Sequence, residues 1–64
     1  MVTELDILRT AHLMLHEYGG DAEDEAARYA EVMRGRGDWN ALLIWTRIRQ
    51  TIAVMHQLPA GLPN

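Results

Sequence analysis

Two glycine breaks, Gly19-Gly20 and Gly35-Arg36-Gly37, divide the chain ahead of Pro59 into three segments, each with apolar residues at three- and four-residue steps. That period belongs to helices, and no run alternates with the two-residue period of a half-buried strand. The chain is therefore expected to be all-α, a single small three-helix domain over residues 1–58 with helices at about 4–18, 22–35 and 39–57. Residues 59–64 lack periodicity and are expected to form a disordered C-terminal tail.

Each boundary has a local cause. Thr3 offers an N-cap hydroxyl ahead of Glu4 and Asp6, acidic residues that the positive end of a helix dipole favours. Asp21 and Asp38 are placed to cap the second and third helices, and Glu23, Asp24 and Glu25 load the second helix's first turn. Pro59 stops the third, because the residue before a proline is pushed out of helical geometry. Inward stripes follow from the spacing: Ile7, Leu8, Ala11, Met14, Leu15 and Tyr18; then Ala22, Ala26, Tyr29, Ala30 and Met33; then Ala41, Ile44, Trp45, Ile48, Ile52 and Met55. The second helix is expected to be the most exposed.

At 64 residues and without cysteine, the domain has a marginal core and no disulfide or thiolate metal site to support it, so self-association or a partner is the expected support. The net charge of −3 disfavours phosphate neutralisation, so no direct nucleic-acid contact is expected. A helix-turn-helix reading of the second and third helices fails on Asp38, Trp39, Ala41 and Leu42, an acidic and apolar start where a recognition helix reads bases. No apolar run is long enough to span a bilayer, and Met1-Val2-Thr3-Glu4 lacks a signal peptide's basic start, so a cytoplasmic protein without membrane contact is expected.

Catalysis is not expected either. Serine and cysteine are absent, which removes the commonest nucleophiles, and a small bundle leaves little room for a ligand pocket. His12 and His16 share a helix face and His56 could join them, but His12-Leu13-Met14-Leu15-His16 lacks the glutamate of a zinc hydrolase motif. Asp21, Glu23, Asp24 and Glu25 lack the alternation and central glycine of a calcium loop and read as capping residues. No catalytic residue, metal ligand or cofactor site is assigned.

The third helix carries more apolar surface than a three-helix core uses. Trp39, Leu43 and Val54 form a second stripe, beside Arg47 and Gln50, on the side away from the core. One reading makes Trp39, Leu43, Arg47 and Val54 a partner-binding face, since aromatic residues and arginine are enriched at interface hot spots. The other folds Trp39 over the preceding turn and packs Leu43 under the first helix. A structural homodimer or accessory subunit, with the third helix permanently buried, is the alternative to a regulatory binding module.

Residues Ala27-Arg28-Tyr29-Ala30-Glu31-Val32-Met33-Arg34-Gly35-Arg36-Gly37-Asp38, followed by Trp45-Thr46-Arg47-Ile48, resemble a group of short bacterial helical proteins of unknown function. Their shared pattern is an Ala-rich helix, a Gly-Asp turn and a Trp-x-Arg-Ile segment, which implies the all-helical fold. The opening Thr3-Glu4-Leu5-Asp6-Ile7-Leu8-Arg9-Thr10-Ala11-His12 is similar to the small antiactivators of the QseM type, which restrain quorum-sensing regulators of conjugative transfer. That resemblance implies a protein that sequesters a transcriptional activator, with no enzyme activity, and it assigns no functional residue.

Overall fold

The structure, a computed structural model describing residues 1–58, has three α-helices: α1 (Glu4–Tyr18), α2 (Ala22–Arg36) and α3 (Trp39–Gln57). A short 3-10 turn, Gly19–Asp21, joins α1 to α2. The expected tail at 59–64 lies outside the described residues.

Capping chemistry sets the helix starts. The Asp6 N–H donates to the Thr3 hydroxyl at 3.2 Å and the Thr3 N–H donates to the Asp6 carboxylate at 3.0 Å, a reciprocal capping box. Asp38 accepts from the Ala41 N–H at 3.1 Å and starts α3. Asp21 makes no such bond. It lies inside the 3-10 turn, whose own geometry carries the chain from α1 into α2, so its expected capping role is corrected.

Hydrogen bonding from Thr3, chiefly through its backbone N–H and then through its hydroxyl, holds the Asp6 carboxyl below its ordinary value of 3.8. A carboxyl with a lowered folded value stabilises the fold above its unfolded value, and that contribution disappears as pH falls through the folded value. The wild-type melting temperature is accordingly expected to fall more steeply than that of Asp6→Ala between about pH 4 and pH 2. Parallel pH profiles would remove the capping box from the account.

The α2–α3 turn depends on one glycine. Gly37 has φ 71° in the left-handed region, and around it the Gly37 N–H donates to the Arg34 carbonyl and the Asp38 N–H to the Met33 carbonyl, both at 3.0 Å. These are the two bonds of a Schellman stop. A Cβ at Gly37 would meet nothing within 4 Å, so the cost of Gly37→Ala is conformational, roughly 1–2 kcal/mol. Gly35 is also open but lies inside α2 at ordinary φ, so Gly35→Ala should stabilise by roughly 0.5–1 kcal/mol. Denaturant titration of the two variants should give opposite signs.

The core consists of Ile7, Ala11 and Met14 from α1, Ala22 and Ala26 from α2, and Ile48 and Ile52 from α3, with Leu15, Ile44, Trp45 and Met55 packed against them. Buried alanines let the helices approach closely but contribute little apolar area. Among the described residues, Ile52 is the one large side chain buried completely.

α3 is the central element. It packs most extensively on α2 and next on α1, while α1 and α2 touch each other less. The expectation that α2 would be the most exposed helix is corrected accordingly. Because α1 leans mainly on one neighbour, its buried arc is narrow: Leu8 is 48% exposed and Tyr18 is also exposed, a correction to the inward stripe that the spacing predicts. Tyr29 is likewise at the surface, with its ring stacked on Trp45 at a centroid distance of 4.6 Å and an interplanar angle of 25°.

Candidate functional site: the outer face of α3

At about 100° per residue, Trp39, Leu43, Arg47, Gln50 and Val54 fall within one quarter of the α3 circumference, opposite Ile48 and Ile52. Trp39 is 65% exposed, Leu43 61% and Val54 59%. Trp39 does not fold over the turn and Leu43 is not covered by α1.

The chemistry of this face differs from that of its neighbours. α3 contains no aspartate or glutamate, whereas the surface of α2 carries ion pairs from Arg28 to Glu25 and Arg34 to Glu31, at 3.2 and 3.3 Å. Arg47, the charged member of the stripe, is half-exposed and pairs with Glu4 of α1. That pair ties the start of α1 to the middle of α3 and neutralises the charge on the face. A surface depleted of charge and holding a large aromatic has the composition of an interface core.

The apolar surface continues onto α1, beyond the residues chosen from the sequence. A groove of about 440 Å³ runs between the start of α1 and α3, with Met1, Val2, Leu43, Ile44 and Arg47 in its lining. A second groove, of about 300 Å³, is lined by Leu5, Leu8 and Thr51. Glu4 lines the smaller groove and Arg47 the larger, so their ion pair stands at the boundary. Space on the scale of a small ligand is thus present, contrary to expectation, but it lies open along the surface. Val2 and Ile7 occupy the positions of a hydrophobic staple across the Thr3 cap, and both line the larger groove. That spacing was the available signal that the N-terminal residues join the site.

Titratable groups offer little beside this. His12, His16 and His56 are exposed, and His56 Nδ1 lies 3.9 Å from Glu23. Among the described residues, no three or more histidine and carboxylate groups come together as metal ligands. Tyr29, chiefly by hydrogen bonding, raises the Tyr18 hydroxyl above its ordinary value. No described helix is long and apolar enough to cross a membrane.

Compared with known proteins, the chain matches no family model, no curated protein and no solved structure.

Proposed function

We propose that this chain is a small regulatory protein-interaction module, an antiactivator that binds and sequesters a transcriptional activator in the cytoplasm, without catalysis, cofactor or DNA contact of its own. The observation that carries the binding part is the exposure of Trp39, Leu43 and Val54 on a face of α3 that has no carboxylate. Such a face suits an amphipathic helix or hydrophobic groove on another protein. Trp39 would be the anchor, Leu43 and Val54 the flanking apolar contacts, and Arg47 a donor that can exchange Glu4 for a partner's carboxylate or carbonyl. The regulatory part follows from the N-terminal resemblance to QseM-type antiactivators, which suggests quorum-sensing control of conjugative transfer as the setting.

Capture of bound proteins by the tagged chain from its native lysate, with identification by mass spectrometry, tests this reading. The expected catch is a transcriptional activator whose occupancy of its DNA site falls when more of the chain is added. Recovery of the chain alone would contradict it.

A further inference from the structure

The exposed residues of α3 read nearly the same in both directions. About a two-fold axis between Ile48 and Arg49, an antiparallel second copy sets Trp39 against the second copy's Leu58, Leu43 against Val54, Asn40 against Gln57 and Arg47 against Gln50. Apolar residues then meet apolar residues, amides meet amides, and the arginine meets an amide oxygen. Leu58 completes the apolar set, being 52% exposed at the end of α3. Charge complementarity selects the same orientation. Outside the Glu25–Arg28 and Glu31–Arg34 pairs, Arg36 closes α2 beside the start of α3, while Glu23 and Asp24 open α2 beside its end, where Glu23 approaches His56. Antiparallel pairing brings the basic end of each copy to the acidic end of the other, whereas parallel pairing would align like charges.

We infer that free copies close this face by antiparallel α3–α3 pairing, and that the pair opens before another protein occupies it. The pairing stands on the residues above, and only its role as a gate rests on the proposed function. A seam made by one helix is smaller than the roughly 800 Å² per partner of a standard interface, which makes the pairing reversible.

The absence of cysteine allows a direct test by single-cysteine variants under mild oxidation. In the antiparallel pair, residue 50 and its counterpart lie about 4.5 Å apart along the seam, while residue 39 and its counterpart lie about 28 Å apart. Gln50→Cys should therefore give a covalent dimer, Trp39→Cys alone should not, and a mixture of Trp39→Cys with Leu58→Cys should cross-link to each other. Analytical ultracentrifugation should show a monomer–dimer equilibrium that Leu43→Asp weakens at least tenfold. A monomer at every concentration, or efficient self-cross-linking of Trp39→Cys, overturns the pairing. The oxidised Gln50→Cys dimer should lose the partner capture that its reduced form retains, and equal capture by both forms overturns the gate. A monomer that still captures an activator defeats only this inference, while a dimer that captures nothing leaves the pairing standing and defeats the proposed function.

Discussion

Ile52→Ala is expected to remove roughly 2–5 kcal/mol of folding stability, and to leave a chain that is largely unfolded at physiological temperature. Ile52 is fully buried at the junction of the three helices, and much of the surrounding core is alanine, which cannot rotate into the vacancy. A domain of 64 residues has a total stability of roughly 3–10 kcal/mol, so a loss of that size takes from about a fifth of it to all of it. Chemical denaturation followed by helical circular dichroism measures the effect. Ile48→Val, a smaller deletion in the same core, should cost roughly 0.5–1.5 kcal/mol. Equal and slight losses in both variants would mean that α3 is not the central element.

Trp39→Ala should have the largest effect on binding and almost none on folding. The indole is mostly exposed in the free chain, so its truncation leaves no cavity, and alanine is a good helix former at the first position of α3. A tryptophan that anchors an interface commonly contributes 2 kcal/mol or more to binding, about thirtyfold in affinity. The expected result is a denaturation midpoint unchanged at concentrations where the chain is monomeric, with a loss of about thirtyfold or more for the captured activator. Val54→Ala, at the far end of the stripe, should cost less.

Much of the fold was legible because its determinants are local. Thr3, Asp38 and Gly37 act within four residues of themselves, so the chemistry that sets the helix ends can be read along the chain. Asp21 departs from its expected capping role because a diglycine turn has two outcomes, a left-handed stop or a 3-10 link, and the choice depends on how α1 and α2 meet. Leu8 and Tyr18 depart from their expected burial for a related reason. Periodicity gives the face of a helix but not the width of the arc its neighbours cover, and α1 is covered mainly by α3.

The candidate site was partly legible by subtraction. α3 holds more apolar residues than one stripe can use, which pointed to Trp39, Leu43 and Val54. The Glu4–Arg47 pair joins residues on two different helices and has no signature in spacing. Met1 and Val2 line one groove with Leu43 and Arg47, and of that extension onto α1 the Val2–Ile7 staple spacing is the part legible along the chain.

One substitution separates a docking surface on the outer face of α3 from a missing piece of core. Leu43→Asp places a charge at the middle of the stripe, where it would cost several kcal/mol if buried and almost nothing if exposed. Circular dichroism and partner capture should be measured on the same preparation of this variant. The expected result is an unchanged helical spectrum and, at concentrations where the wild type is monomeric, an unchanged thermal transition, together with complete loss of the captured activator. Loss of the helical spectrum, or full capture by a folded variant, would contradict it.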